Sequence, residues 1–213
     1  MSDPFATLVP DATGFLSDLA RNNTRDWFLA HKPTYEDKLK APAMALLDII
    51  AADLGTGTGT KLFRAHRDVR FSKDKTPYHT HLHMLWSLPS ESGPRPALFF
   101  GIGLDYVSVG AGFMGFDKTA LPIWRAGVDG AQGAEIAAKL DRLAADGLRI
   151  GAPELKRVPA PYDKDHPQGA LLRRKALTVW HDLDKAEIAN PVTAIRATHQ
   201  RLAPLLGSLQ AIF

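Results

Sequence analysis

The densest run of groups able to bind or transfer charge lies between Arg64 and Tyr78, R-A-H-R-D-V-R-F-S-K-D-K-T-P-Y. Arg67 and Arg70 offer planar forked donors that fit the oxygens of a phosphate or carboxylate, and Lys73 and Lys75 add mobile point charges. Arg25 from the N-terminal region and Lys164, Arg173, Arg174 and Lys175 from a later basic run could join them. Together with Tyr78, such a set would form a basic cleft for a small phosphate- or carboxylate-bearing ligand. Asp68, Asp74, Asp163 and Asp165 are interleaved with the cations. The same pattern therefore also reads as internal ion pairing, since surface pairs contribute about 0–1 kcal/mol and need not serve binding.

Two groups could move protons beside that cleft. His166 is flanked by Asp163, Lys164 and Asp165 in an expected loop, where a carboxylate neighbour could tune its imidazole. Asp68 sits among the cations of the central run. This gives a second reading, phosphoester hydrolysis with His166 or Asp68 as acid or base. A third uses the same surface for a nucleic acid or a protein without chemistry. Nucleic acid ranks below a small anion, because the interleaved aspartates would repel successive phosphates; if they pair inward, the outer surface could still be positive. Trp27, Phe28 and Tyr78 could stack on a base, although aromatics beside amphipathic segments also build cores.

His79, His81 and His83 fall on one face of an expected strand. At about 3.3 Å per residue the outer two are roughly 13 Å apart, too far to share one ion when a Zn–N bond is about 2.1 Å. Only an adjacent pair could share an ion, together with other ligands; no metal is assigned to them, and the sequence names no cofactor. His199 lies on an apolar helical stripe and is expected in the core.

The elements that position these groups follow from periodicity. Val69 and Phe71 alternate with Asp68, Arg70 and Ser72, which predicts a strand over Arg67–Ser72 with one buried face, followed by a lysine loop to Pro77. Thr13 is expected to cap a first helix carrying Phe15, Leu16 and Leu19, Thr24 a second carrying Trp27 and Phe28, and Pro33 to open a third. Ala43, Leu46, Leu47, Ile50 and Leu54 form a helical stripe that Gly55 stops. Strands are expected over His79–Trp86, Ala97–Leu104 and Tyr106–Ala111, with a break from Pro89 to Pro96. Gly101, Gly103, Gly110 and Gly112 within them mark bulges or a close approach of backbone or ligand. A helix after Gly133, a strand through Leu177 and Val179, and a long helix opening at Asn190-Pro191 complete the chain. The last carries Val192, Ile195, His199, Leu202, Leu206, Leu209 and Phe213, with a kink expected at Pro204. Helices, then strands, then helices argue for one α+β domain around a mainly antiparallel sheet flanked by helices.

Composition sets outer limits. The chain has 213 residues, 45% of them hydrophobic, and 26 Lys plus Arg against 23 Asp plus Glu. An excess of three charges is far from the balance of a general polyanion binder, so basic character must be local. The absence of cysteine excludes disulfides, thiolate catalysis and Cys-ligated metals. Met1–Pro10 lacks a basic, apolar leader, and no segment stays apolar for the roughly 20 residues of a membrane span. A cytoplasmic protein without membrane contact is the expectation; oligomeric state is not legible.

Three motifs, N-N-x-R-x-W-F at Asn22–Phe28, R-D-x-R-F-S-K-D-K-x-P-Y at Arg67–Tyr78, and Y-D-K-D-H-P at Tyr162–Pro167 followed by L-L-R-R-K at Leu171–Lys175, resemble a widespread family of uncharacterised proteins, a domain of unknown function. The likeness runs from about Phe15 to the terminal helix. It implies membership, and no activity, substrate or catalytic residue. One departure is His79, where similar members tend to carry lysine.

Overall fold

A computed structural model describes residues 5–90 and 93–213; Met1–Pro4 and the two residues inside the expected Pro89–Pro96 break lie outside the described residues. The chain begins with helix α1 (Leu8–Arg21), which starts earlier than a cap at Thr13 would allow. Buried Leu8, Val9 and Ala12 extend the stripe of Phe15, Leu16 and Leu19 toward the N-terminus, and the N–H of Asp11 bonds to the Thr7 carbonyl. Pro10 is tolerated there because the first-turn N–H groups have no intrahelical partner. Thr24 caps α2 (Arg25–Tyr35) as expected, its hydroxyl accepting from the Trp27 N–H at 3.3 Å. Pro33 does not open a third helix but lies inside α2, which continues through a π-helical turn at Glu36–Lys40 into α3 (Ala41–Leu54). Gly55, at φ 92°, ends α3 in a conformation that favours glycine.

Strands β1 (Gly59–Leu62), β2 (Leu82–Ser87), β3 (Ala97–Ile102) and β4 (Val107–Phe113) follow, then α4 (Ala120–Val128), α5 (Ala131–Ala145), β5 (Arg149–Ile150), α6 (Gly169–Leu172), β6 (Leu177–Asp182), α7 (Lys185–Ile188) and α8 (Pro191–Gln210). The fold is α+β, with an antiparallel six-stranded sheet in the order β1-β2-β3-β4-β6-β5. No helix among the described residues is long and apolar enough to cross a membrane. The stretch Arg67–Ser72 is not a strand: it is an irregular loop, and Phe71, expected on a buried face, is 97% exposed. β2 likewise begins at Leu82, leaving His79–His81 irregular. Helix α4 has no counterpart in the sequence reading; Asp117 organises its start by accepting from Thr119 N–H (2.9 Å) and Ala120 N–H (2.7 Å).

The described residues form two compact units. The first comprises the chain through Trp86 with Phe99–Val109 and Leu183–Arg196. Its core contains Leu8, Leu19, Leu46, Ile50, Met84 and Trp86, and the Trp86 indole N–H reaches the Leu47 carbonyl at 2.9 Å. The second comprises Ser87–Leu98, Gly110–Asp182 and Ala197–Phe213. There Phe116 stacks on Trp124 (centroids 4.8 Å), whose indole donates to the Leu171 carbonyl at 3.2 Å. The expected stripe of α8 is buried or half-buried throughout.

Candidate functional site

In the first unit the N-N-x-R-x-W-F and R-D-x-R-F-S segments meet. The Arg67 N–H bonds to the Pro77 carbonyl (2.9 Å) and the His79 N–H to the Ala65 carbonyl (2.7 Å), closing a loop at a bridge between His66 and Tyr78. In an antiparallel bridge the N–H and C=O of every second residue point away from the partner. Those of Tyr78 are taken up by the carboxamide of Asn23, whose Oδ1 accepts from Tyr78 N (3.1 Å) while Nδ2 donates to Tyr78 O (2.9 Å). The Asn23 side chain thus stands in for a neighbouring strand. Phe28 stacks on Tyr78 at 4.0 Å and packs edge-on to His66. Tyr78 was expected to touch ligand; at 3% exposure its ring is instead a core element. Asn23→Ala would strand two backbone groups at once and is expected to cost about 1.5 kcal/mol, measured by denaturant titration. Asn23→Asp should recover only part of it, because a carboxylate accepts from Tyr78 N–H but cannot donate to its carbonyl.

The loop from Arg67 to Pro77 is braced by its own charges. Arg70 grips the Asp68 carboxylate with its side chain, Nε to Oδ1 at 2.9 Å and Nη2 to Oδ2 at 2.6 Å, and its backbone N–H also donates to Oδ1 at 3.2 Å. Arg67 Nη1 reaches Asp74 Oδ2 at 2.6 Å, the Thr76 carbonyl at 3.1 Å and the Thr76 hydroxyl, and Lys75 Nζ donates to the Val69 carbonyl at 3.0 Å. The Thr76 N–H and hydroxyl together with Arg67 hold the Asp74 carboxyl down at about 2, and Arg70 lowers that of Asp68. Lys73 is exposed and makes no ion pair among the described residues, and the same is true of Arg25 at the start of α2.

Beside this loop the imidazoles of His79, His81 and His83 form a row, with centroids 4.6 Å and 3.8 Å apart and the second pair stacked at 16°. The row is tighter than an extended strand allows, because only His83 is on β2. His83 Nε2 meets the Tyr106 hydroxyl at 2.6 Å. Burial lowers all three below the ordinary imidazole value, His83 to about 4, and their mutual repulsion, with Arg67 and Arg64 acting on His79, adds to this. Stacked rings present faces rather than lone pairs to each other, and no cluster of three or more His, Cys, Asp or Glu side chains placed to hold a metal ion occurs among the described residues. Gly101 and Gly103 make room for this arrangement: a Cβ on Gly103 would lie 2.2 Å from the Tyr106 ring. The close approach expected at these glycines is by an aromatic side chain.

The third motif lies in the second unit. Asp163 accepts from the Asp165 N–H at 2.7 Å, and His166 N–H bonds to the Asp163 carbonyl, folding Tyr162–His166 into a tight turn. His166 Nδ1 accepts from the Gln168 N–H at 3.0 Å, which fixes the proton on Nε2, and Nε2 then donates to Asp129 Oδ1 at 2.8 Å. Its carboxylate partner is therefore Asp129, at the end of α4, rather than the neighbouring Asp163 or Asp165. With both nitrogens engaged, His166 anchors the turn to α4.

Around this turn opens a cleft of about 570 Å³ lined by Lys156, Arg157, Lys164, Asp165, His166 and Arg173, with Val158, Pro167, Gly169 and Ala170. Lys164 lies 3.7 Å from Asp165 with both side chains exposed, and Arg173 commits Nε to the Gly169 carbonyl at 3.3 Å. Arg174, expected to contact ligand, is 7% exposed and turns inward, its Nη1 donating to the Gly151 carbonyl at 2.5 Å, so it ties this segment to the fold. Lys175 is exposed, and its backbone N–H bonds to Glu154 at 2.6 Å. The sequence reading missed Lys156, Arg157 and Asp129, which lie outside the recognised motifs.

Residues 11–206 match the model of the family described as conserved hypothetical protein (DUF2461). The chain belongs to this family. Comparison with curated proteins finds no match. In this DUF2461 chain the second-unit cleft sets several cations against one loosely paired carboxylate, unlike the Arg67–Pro77 loop, where each carboxylate is held by an arginine at 2.6 Å.

Proposed function

We propose that the cleft of the second unit binds a small ligand bearing phosphate or carboxylate. The observation that carries this reading is the lining: Lys156, Arg157, Lys164 and Arg173 face one cavity in which Asp165 is the single carboxylate. A volume of about 570 Å³ suits a compact ligand. Arg173, oriented by its bond to Gly169, keeps its terminal nitrogens for a forked contact, and Lys156, Arg157 and Lys164 supply charge around it. The Asp129–His166 pair fixes the turn that carries Lys164.

The same geometry supports binding over hydrolysis. A general base needs an unengaged basic atom within reach of the proton it removes, and both nitrogens of His166 are engaged within the fold. Asp68 is likewise committed, to Arg70, in the first unit.

A thermal-shift series with inorganic phosphate, pyrophosphate, nucleotides, sugar phosphates and dicarboxylates tests the proposal. A ligand at 100 times its Kd should add about 2.7 kcal/mol to the stability of the folded chain. The shift should vanish in Arg157→Glu combined with Arg173→Glu, while Lys73→Glu in the first unit leaves it unchanged. Absence of stabilisation by every anion, or a shift that survives the double charge reversal, would remove the cleft as the site.

A further inference from the structure

We propose that the Arg67–Pro77 loop of the first unit is a contact point for single-stranded nucleic acid, with Phe71 as a stacking platform. Phe71 is 97% exposed, the most exposed of the large hydrophobic side chains among the described residues. It does not sit on a slack segment: the loop is closed by Arg67 N–H to Pro77 O and braced by the Arg70–Asp68, Arg67–Asp74 and Lys75–Val69 bonds. A braced loop that holds an aromatic ring in water presents that ring to a partner.

The charges around the ring identify the partner's chemistry. Between Arg64 and Tyr78 there are five Lys and Arg (Arg64, Arg67, Arg70, Lys73, Lys75) against two carboxylates (Asp68, Asp74), a difference of +3 that equals the formal net charge of the whole chain. Both carboxylates are held by arginines of the same loop. This removes the objection that interleaved aspartates would repel phosphates, and it leaves Arg64, Lys73 and Lys75 as the remaining positive charges of the segment that carries the ring. The Arg70 guanidinium lies 6.0 Å from the Phe71 ring centroid, while Arg70 stays bonded to Asp68. Pushing Phe71 into hydrocarbon or a deep apolar pocket would dehydrate the adjacent Arg70–Asp68 pair, which is costly. A nucleobase laid on the open ring face leaves that pair hydrated and puts its flanking phosphates near the cations. Duplex bases are already stacked and offer no free face, so the single strand is the fit.

Fluorescence anisotropy with a labelled single-stranded oligothymidylate at low salt tests this. Binding is expected to weaken about tenfold or more in Phe71→Ala, to be retained in Phe71→Trp, and to fall in Lys73→Glu, with a salt slope of about −2 for three cations on a single strand. A duplex of equal length should bind more weakly. Because the Phe71 side chain is solvated, these variants should melt with the wild type, and the Arg157→Glu, Arg173→Glu pair serves as the control for capture by the other basic site. No binding, or binding that Phe71→Ala leaves unchanged, overturns the proposal. So does failure of the oligonucleotide alongside Phe71-dependent sedimentation with phosphatidylserine vesicles, which would assign the loop to a membrane surface instead.

Discussion

A Gly112→Ala chain should lose about 4 kcal/mol or more of stability, enough to lower the thermal midpoint by roughly 8–16 °C for a chain of this size. The cause is local. Gly112 lies in β4 at φ 136°, a region that L residues rarely adopt, and a Cβ there would sit 2.0 Å from the Leu177 carbonyl oxygen of β6. Backbone cannot rotate aside as a side-chain tip can, so relief requires the two segments to part. Gly110→Ala is a graded comparison: its Cβ would meet the Trp180 ring at 2.4 Å, and an indole can shift in a way a ladder carbonyl cannot. Gly101→Ala, 3.2 Å from the His83 ring, should be milder, and Gly130→Ala, with nothing within 4 Å, close to neutral. Denaturant midpoints for the four variants give the order; a Gly112→Ala chain within 1 kcal/mol of wild type would mean that the β4–β6 packing is not as described.

Those glycines illustrate how much of the fold the sequence carries. Composition alone shows that four glycines in two strands need a reason, and close approach is the reason found, but only the folded chain shows that Tyr106, Trp180 and a carbonyl are what approach. Helices with strong apolar stripes were legible, and so were the caps at Thr24 and Gly55, since both signals are local. The Arg67–Ser72 stretch was misread because its two-residue alternation meets the criterion for a half-buried strand; what competes is a set of side-chain bonds from Arg67, Arg70 and Lys75 that satisfies the loop internally. The site fared similarly. Lys164, Arg173 and His166 could be gathered from one motif, whereas Lys156 and Arg157 reach the cleft from a segment with no motif, and Asp129 reaches His166 from the far end of α4. Pairings of that kind are set by tertiary geometry, and no spacing rule reports them.

Acid should destabilise the first unit through its row of histidines. His83 is lowered from 6.5 to about 4 in the folded chain, chiefly by burial and then by repulsion from His81 and His79. Above pH 6.5 the imidazole is neutral in both folded and unfolded chains and contributes no pH dependence. As pH falls below 6.5 the unfolded chain takes up the proton and the folded chain does not, so stability is lost progressively down to about pH 4 and then levels. The shift corresponds to about 3 kcal/mol, reduced to about 2 kcal/mol because the ring is only half-buried and its charge would be partly screened. His79 and His81 are also lowered chiefly by burial, then by Arg67 and Arg64 at His79 and by His79 at His81, and act in the same direction. Asp74 works in a separate window: held down at about 2, it stabilises the fold above the usual carboxylate range and loses that contribution only as pH falls toward 2. Denaturant titrations from pH 7.5 to about 2 should therefore show a first loss centred between pH 6.5 and 4. In His83→Gln the first slope should shrink, whatever constant offset the lost Tyr106 contact adds, while the lower window stays. A wild-type stability that is flat from pH 7 to 4.5, or a His83→Gln chain with the same slope as wild type, would show that the stacked row carries a proton readily and that its burial does not hold the imidazoles neutral.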